Sequence, residues 1–445
     1  MRPIVIGSGM GGLATALILK KNGFDPLIFE KEKFWGGSFT SYKVGNYTVD
    51  TGMHFLTRGT TGELPKLMKK YIDGDVFEKN FVEQNKYMFY LGDKSDIVPA
   101  NLSELLKFKI LPFRDRLKFI KLVLYFLRMG RENTKTDLTS YEHVKKYIRS
   151  DKTLYFLNAL SWMSNGCSMK EGSLSRFLDT FIKERRLSVG FVMKHLTSKR
   201  RAKEEEWYPI GGLITVPRLF LNEGLKVETG KKVEKIIVAD GMVRGVEVGG
   251  KFYKSDIVIY DGLVKNLYNI IEGGKLEIKE PKYEEYQALT LWLGFDKKIA
   301  DWNRVSKLKV MENMGSPHWG FFVTDFDPKL APPGHQLFGI SGILHKEKNL
   351  MVKEMKETVE YFIPDYEKHV DMEHVQVCRA EKTLHKNGNN IFYLPEQKTN
   401  IKGLYVVGTD TKGWGSGGTL CADTAFRCWE YIKNDINLTN LNNSD

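Results

Sequence analysis

The first thirty residues alternate short apolar runs with a glycine-rich turn, in an order that predicts a strand, a helix and a second strand. The apolar runs are residues 3–6 and residues 27–29, and the second run ends at Glu30. Residues 13–19 between them are apolar or small, in a pattern typical of a buried helix. Because this order of elements forms a βαβ unit, we expect an α/β arrangement in this part of the chain.

The glycine-rich turn, residues 7–12, has the sequence Gly-Ser-Gly-Met-Gly-Gly. Gly7 permits a tight turn, Gly9 lets the backbone approach a diphosphate, and Gly12 lets the helix pack closely on the strand. The start of the helix directs N–H groups and the positive end of its dipole toward the phosphates. Glu30 can accept hydrogen bonds from both hydroxyls of an adenosine ribose and would repel a 2′-phosphate. The order of these features predicts a dinucleotide site rather than a chance glycine-rich turn.

The rest of the chain predicts helices and strands in separate regions. Residues 60–200 are for the most part typical of helices, and residues 285–400 are typical of strands with one embedded helix. Shorter predicted elements are a strand from Tyr42 to Thr51, a hairpin turning at Asp240-Gly241, a strand at 403–408 and a helix from about Thr419 to Lys433. Together with the βαβ unit, these elements indicate an α/β or α+β protein.

One predicted helix, residues 114–129, is apolar around most of its circumference. Its basic side chains and one tyrosine share a stripe about 80° wide: Arg114, Lys118, Lys121, Tyr125 and Arg128. Residues 101–135 contain nine basic and three acidic side chains. Such a helix either lies buried in a helical subdomain or faces an anionic membrane surface, with basic side chains reaching the headgroups. The pattern leaves both alternatives open.

The composition is that of a large globular protein. The 445 residues are 42% hydrophobic and 27% charged, with a formal net charge of +12. The four cysteines form no CxxC pair, which excludes a dithiol centre or zinc ribbon and favours a reducing compartment. No metal-binding spacing and no nucleic-acid-binding module accompany the basic charge, so neither metal nor nucleic acid is expected. No apolar run has the length of a membrane span, and we expect a cytoplasmic protein, with peripheral attachment to the inner face of the membrane as an alternative.

Several separated motifs resemble the FAD-binding amine-oxidase and phytoene-desaturase superfamily. They are the Gly36-Gly37 turn after Glu30, the Asp50-Thr51-Gly52 turn, the Pro209–Gly212 segment, the 403–419 strand, turn and helix, and the 327–335 stretch, which is similar to the carotenoid desaturase branch. The resemblance implies a Rossmann-like FAD-binding domain of the FAD/NAD(P)-binding fold, with a substrate domain of mixed sheet plus a helical subdomain. The implied boundaries are 1–70, 205–280 and 400–435 for the FAD-binding domain, 71–204 and 281–399 for the substrate domain, and 436–445 for a disordered tail.

The resemblance also implies roles for individual residues. Val233 would hold the adenine through its backbone, Asp410 would bind the ribityl chain, and the start of the last helix would contact the flavin pyrimidine edge. Ser38 stands where the family usually has arginine, so one guanidinium contact is missing. Together with the residues of the glycine-rich turn, the cofactor-binding residues are then Gly7, Gly9, Met10, Gly11, Gly12, Glu30, Lys31, Gly37, Ser38, His54, Val233, Gly408, Asp410, Gly417, Gly418 and Thr419. Candidate catalytic residues are His54, Trp414 and Tyr208.

The function implied is that of an FAD-dependent oxidoreductase with non-covalent FAD, exchanging hydride with a C–C bond of an apolar, isoprenoid or lipid-like substrate. An amine oxidase and a non-catalytic scaffold of a lipid pathway are the alternatives. The start of the last helix also contains a GxGxxG pattern, but no second strand with an acidic residue follows it, so only one complete nucleotide-binding unit is present. The electron carrier therefore stays open among NAD(P)H, oxygen, a quinone and a protein.

Overall fold

The computed structural model describes residues 2–52, 55–57, 59, 62–99, 102–129, 138–181, 206–310, 315–344, 346–382 and 391–442. The strands are β1 Ile4–Ile6, β2 Leu27–Phe29, β3 Ser41–Val44, β4 Tyr47–Asp50, β5 Leu56–Thr57, β6 Phe81–Glu83, β7 Lys86–Leu91, β8 Lys94–Ile97, β9 Glu206–Pro209, β10 Lys226–Glu228, β11 Val233–Ala239, β12 Met242–Val248, β13 Lys251–Lys254, β14 Val258–Asp261, β15 Ile271–Glu272, β16 Glu284–Phe295, β17 Val305–Lys309, β18 His318–Phe322, β19 Gln336–Ile343, β20 Val370–Lys382 and β21 Leu404–Val407. The helices are α1 Met10–Lys21, α2 Glu63–Tyr71, α3 Val76–Asn80, α4 Leu102–Lys107, α5 Phe113–Met129, α6 Ser140–Val144, α7 Asp151–Asn165, α8 Leu174–Phe181, α9 Thr215–Leu221, α10 Val264–Leu267, α11 Lys348–Phe362 and α12 Gly417–Asn442.

A five-stranded parallel sheet forms the first layer of the fold, in the order β10-β2-β1-β14-β21. The residues of β1, β2 and β21 are all buried, which explains why these strands are short continuous apolar runs rather than alternating ones. Helices α1 and α12 pack on one face of the sheet through apolar side chains such as Leu17 and Ala425. The opposite face packs on the β11–β12 sheet through side chains such as Ile236 and Val246. A parallel sheet buried on both faces confirms the predicted α/β class.

A seven-stranded sheet, in the order β20-β16-β19-β18-β17-β7-β8, forms the second large layer. Helix α11 covers one face of it through Met351, Met355 and Val359. Strands β6, β7 and β8 lie within residues 60–200, where the sequence predicts helices. That prediction is wrong there because residues 86–91 are rich in aromatic residues that favour a strand, and the turn at Gly92 returns the chain as a hairpin.

Two smaller predictions also differ from the structure. The alternating stretch from Tyr42 to Thr51 is a hairpin, β3 and β4, rather than one strand, because Gly45 adopts a left-handed turn conformation. Helix α12 continues to Asn442, past the expected end at Lys433, so residues 436–442 are helical where a disordered tail was expected. Ile436 packs on the same core as Ile432, one helical turn earlier, which extends the apolar face of the helix.

Helices α4 to α8 form a compact group beside the seven-stranded sheet. Buried side chains of α5, including Phe119 and Leu122, pack on Phe156 and Leu157 of α7. The opposite face of α5 is exposed and carries Phe113. The helix is therefore amphipathic, with one face in the subdomain core and the other at the surface. No helix in the described ranges is long and apolar enough to cross a membrane.

Candidate dinucleotide site

Three predicted site residues and Asp261, which was not predicted, meet at the carboxyl edge of the five-stranded sheet. Glu30 follows β2, Gly7 follows β1, Asp261 ends β14 and Gly408 follows β21, and these four strands are neighbours. The carboxyl ends of parallel strands are where doubly wound α/β proteins bind nucleotides. The sheet order therefore brings together residues that are up to about 400 positions apart in the sequence.

The glycine-rich turn forms a close-packed cradle at this edge. Gly7 has a φ of 101°, and a Cβ there would overlap the carbonyl oxygen of Asp261. The second glycine turn closes the other side, since a Cβ added at Gly37 would lie 3.3 Å from the Cα of Gly9. The Gly36 N–H also donates to the Ser8 carbonyl at 3.0 Å. The two turns therefore approach each other closely through backbone, which is what the glycines of a diphosphate-binding turn permit.

Glu30 is buried, and its carboxylate is held from both sides by backbone and hydroxyl donors. Its Oε2 accepts hydrogen bonds from the Ser8 N–H at 2.8 Å and the Ser8 hydroxyl at 2.7 Å, and its Oε1 accepts from the Glu32 N–H at 2.9 Å. A carboxylate has about four lone-pair sites, so one remains for a ribose hydroxyl. Ser8 is a residue of the site to which the sequence assigned no role.

The chain between β10 and β11 runs beside Glu30, on the side where the adenine is expected. The Lys231 N–H donates to the Glu30 carbonyl and the Gly230 N–H to the Glu32 carbonyl, each at 2.7 Å. Val233 begins β11 directly after this contact and is buried. Lys31 has an exposed side chain that lies 3.7 Å from Glu32, so it belongs to the rim of the site. Ser38 is likewise exposed.

Asp410 is buried at the β21 end of the same edge. Its Oδ2 accepts from the Tyr283 hydroxyl at 2.8 Å and from the Val264 N–H at 3.1 Å. Burial and the adjacent carboxylate raise the pKa of Tyr283, so its hydroxyl stays protonated and donates to Asp410. These two donors fix the orientation of the carboxylate that the sequence assigns to the ribityl chain. Tyr283 is a second residue that the sequence analysis missed.

Asp261 is the most important residue that the sequence analysis missed. Its Oδ2 accepts from the Gly12 N–H at 2.8 Å, and Cβ atoms added at Gly9, Gly11 or Gly408 would lie 2.6 to 2.8 Å from its carboxylate oxygens. Burial, and then the charges of Glu30 and Asp410, raise its pKa to about 7. A signal was available, because β14 is an apolar strand that ends in an acidic residue, as β2 does before Glu30.

The loop before α12 is held from two sides. The Trp414 N–H donates to Asp423 of α12 at 2.9 Å. From the helical subdomain, the buried Arg176 of α8 donates through one nitrogen to the Gly413 and Gly415 carbonyls at 3.0 and 3.1 Å. Helix α12 then begins at Gly417, so Gly418 and Thr419, which the resemblance assigns to the flavin pyrimidine edge, lie in its first turn. Arg176 carries no sequence signal, because its partners are more than two hundred residues away.

The three candidate catalytic residues have different positions. Tyr208 is fully buried, its hydroxyl donates to Asp50 at 2.5 Å, and burial raises the phenol pKa well above its usual value. It is therefore a packing residue in this structure rather than a wall of an open pocket. Trp414 is partly exposed beside Phe392, and His54 lies outside the described residues.

The parallel sheet, its glycine cradle and the carboxylate at the ribose position define a dinucleotide-binding protein. The model of the flavin containing amine oxidoreductase family matches residues 10–419, and the chain belongs to this family. It is a flavin-dependent oxidoreductase. The two glycine turns, with Glu30 and Asp410 at the same edge of the sheet, fit a flavin dinucleotide.

Sequence identity to individual relatives is low. The chain is 26% identical over 332 residues to the zeta-carotene-forming phytoene desaturase of Myxococcus xanthus, a match covering 67% of this chain and 61% of that enzyme. It is 36% identical over 104 residues to an uncharacterized protein in the nifH2 3′ region of Methanothermococcus thermolithotrophicus, covering 23% of this chain and 97% of that protein. The crystal structure of an oxidoreductase from Methanosarcina mazei superposes with a TM-score of 0.74 at 20% identity, covering 97% of this chain and 100% of that one. This last similarity shows the fold.

Proposed function

We propose that the chain binds FAD non-covalently and exchanges hydride with a C–C bond of an apolar, isoprenoid or lipid-like substrate. Bound flavin supplies the hydride chemistry, and the protein positions the reacting carbon and excludes water. Glu30 holds the adenosine ribose, Asp410 holds the ribityl chain, and the first turn of α12 donates N–H groups to the pyrimidine edge. The N-terminal end of a helix stabilises the negative charge that reduced flavin carries there.

The observation that carries the choice of substrate is the geometry of the aromatic pair in the loop before α12. Trp414 meets Phe392 edge-on, with ring centroids 6.1 Å apart and an angle of 82° between the planes. An amine oriented between two aromatic faces needs rings that face each other, and this pair leaves no such slot. Phe55 packs on the buried Phe321, with centroids 4.5 Å apart, so the chain after β4 is held by apolar contacts. The desaturase activity in the name of the Myxococcus xanthus relative supports the same choice.

Anaerobic spectroscopy tests this function. We expect the purified protein to show flavin absorbance and to produce no hydrogen peroxide from amines in air. Bleaching of the flavin by NADH or NADPH would assign a reductase with nicotinamide as donor, whereas flavin that stays oxidised would assign a desaturase or isomerase with another electron carrier. Peroxide formation with amines would support the amine oxidase alternative. Absence of flavin, even after incubation with FAD, would contradict the proposal and support a scaffold.

We also propose that the exposed face of α5 docks on an anionic membrane surface, where an apolar substrate is available. Phe113, at 61% exposure, shares one side of this face with the exposed Leu117 and Leu124. The exposed basic residues Arg114, Lys118 and Lys121 occupy the adjacent side. Apolar side chains at the depth of the acyl chains, with basic ones at the headgroups, are the pattern of a helix that lies in the membrane interface.

Charge reversal of Arg114, Lys118 and Lys121 to Glu should weaken co-sedimentation with phosphatidylserine-containing vesicles at least about a hundredfold. The reason is that each basic residue near such a surface contributes about 1 kcal/mol. Binding of the unmodified protein should also weaken as salt is added. The matched control reverses the exposed Lys329, Lys353 and Lys402, which lie elsewhere on the surface, and should bind as before. Equal binding by both triple variants would contradict the membrane proposal.

A further inference from the structure

The three acidic side chains at the carboxyl edge of the parallel sheet surround the place where a dianionic diphosphate is expected. Glu30 follows β2, Asp261 ends β14 and Asp410 follows β21, so Asp261 stands between the other two. Glu30 and Asp410 are assigned to the ribose and ribityl hydroxyls, and a hydroxyl can hydrogen-bond to a carboxyl group in either protonation state. Asp261 differs from them because it lies against the glycine cradle itself, where the phosphates are expected.

The groups that face Asp261 supply little positive charge. Helix α1 faces it with backbone alone, through Gly9, Gly11 and the Gly12 N–H. The neighbouring strands add the charges of Glu30 and Asp410, and Tyr260 precedes it on β14. In the part of the chain that the structure describes, the main influences on the pKa of this carboxyl are its burial, the Gly12 N–H, Glu30 and Asp410, and none of these is a cationic side chain. The helix dipole, equivalent to about half an elementary charge, cannot offset an ionised Asp261 and a diphosphate together.

We propose that Asp261 carries a proton whenever the diphosphate of FAD occupies the glycine cradle, so that the protein takes up one proton from solution as it binds FAD above neutral pH. A neutral carboxyl keeps one oxygen to accept the Gly12 N–H, and its O–H becomes a donor in a site that must hold an anion. The inference rests on the proposed binding of FAD. In addition, the inference makes Asp261 a residue that sets the affinity for FAD and makes that affinity depend on pH.

The sign of the pH dependence follows from the environment of Asp261 without FAD. Burial and the two neighbouring carboxylates raise its pKa to about 7. Below this value the carboxyl is already protonated, and binding exchanges no proton there. Above it, the proton must be taken up from the buffer, so the dissociation constant for FAD rises about tenfold per pH unit. The stability of the apoprotein contributed by this group also falls as the pH rises toward 7, because the folded state binds the proton more tightly than the unfolded chain does.

Calorimetry of FAD binding to the deflavinated protein tests this proposal. Titrations at the same pH in two phosphate-free buffers that both buffer at that pH and differ in ionisation enthalpy report the number of protons exchanged. We expect uptake approaching one proton per FAD at about pH 8 and close to none at about pH 6. Binding of FAD at about pH 8 without proton uptake would overturn this proposal and leave the flavin assignment standing. Absence of FAD binding in both buffers would overturn both.

Two variants locate the proton. Asp261→Asn keeps the shape and one acceptor oxygen, so it should bind FAD without proton uptake and with an affinity that no longer depends on pH in this range. Asp256→Asn is the matched control, because Asp256 is exposed near the opposite end of the same strand, and it should keep the uptake. Proton uptake that persists in Asp261→Asn would overturn the assignment. The measurement on the unmodified protein needs no variant, so it decides the question even where Asp261→Asn does not fold.

Discussion

Replacing Gly12 with alanine is expected to lower the free energy of unfolding by about 2 kcal/mol and to weaken FAD binding at least about tenfold. Helix propensity alone predicts the opposite sign, because alanine is about 1 kcal/mol better than glycine inside a helix. Packing decides the outcome. A Cβ at Gly12 would overlap the Gly7 carbonyl oxygen and lie 3.1 Å from Asp261 Oδ2. The first contact is with backbone, which cannot rotate away, so α1 must move away from β1.

Movement of α1 also displaces the N–H groups that face the diphosphate, which is why stability and affinity should fall together. Urea unfolding of the apoprotein and fluorescence titration with FAD measure the two effects. Gly74→Ala is the matched control, since nothing lies within 4 Å of a Cβ there and the backbone is not left-handed. The control should stay within about 0.5 kcal/mol of the unmodified protein. A Gly12→Ala protein as stable as this control would contradict the packing argument.

The parts of the site that could be predicted from the sequence are those whose signals are local. Gly7, Gly9, Gly12 and Glu30 lie within one βαβ unit, so their spacing alone predicts that they meet. Asp410 was assigned by resemblance, and the structure places it at the same sheet edge. These residues lie close to strands β1, β2 and β21. Because those strands are buried on both faces, they are continuous apolar runs that can be recognised in the sequence.

The residues that were missed act through contacts between distant parts of the chain. The hydrogen bond from Gly12 to Asp261 joins positions 249 apart, and the contact between Arg176 and Gly413 spans 237. Such pairs meet only because of the strand order, which a single sequence does not specify. The error over β7 and β8 has a related cause, since these strands complete a sheet whose other members come from residues 284–382.

Arg176 connects the helical subdomain to the flavin side of the protein. It is buried to 2% exposure, and one of its nitrogens donates to the carbonyls on both sides of Trp414. The Trp414 N–H is held in turn by Asp423, which also accepts from Arg427 at 2.7 Å. The loop is thus fixed between α8 and α12 directly before the helix start that we propose contacts the pyrimidine edge. In that proposed arrangement Arg176 is a positioning residue, and its charge lies near the region that becomes negative when flavin is reduced.

Arg176→Met, which keeps the length but removes the charge and the two hydrogen bonds to Gly413 and Gly415, should therefore destabilise the protein by about 3–6 kcal/mol, because each hydrogen bond to a charged group contributes about 1.5–3 kcal/mol. It should also weaken FAD binding and lower the reduction potential of the bound flavin, since a buried cation stabilises the anionic reduced form.

Arg176→Lys should restore much of the potential, because one nitrogen serves both carbonyls. The control is Arg218→Met on the exposed face of α9, which should change neither quantity. A lower stability with an unchanged potential would limit Arg176 to holding the loop, and an unchanged affinity and potential in Arg176→Met would contradict its link to the flavin site.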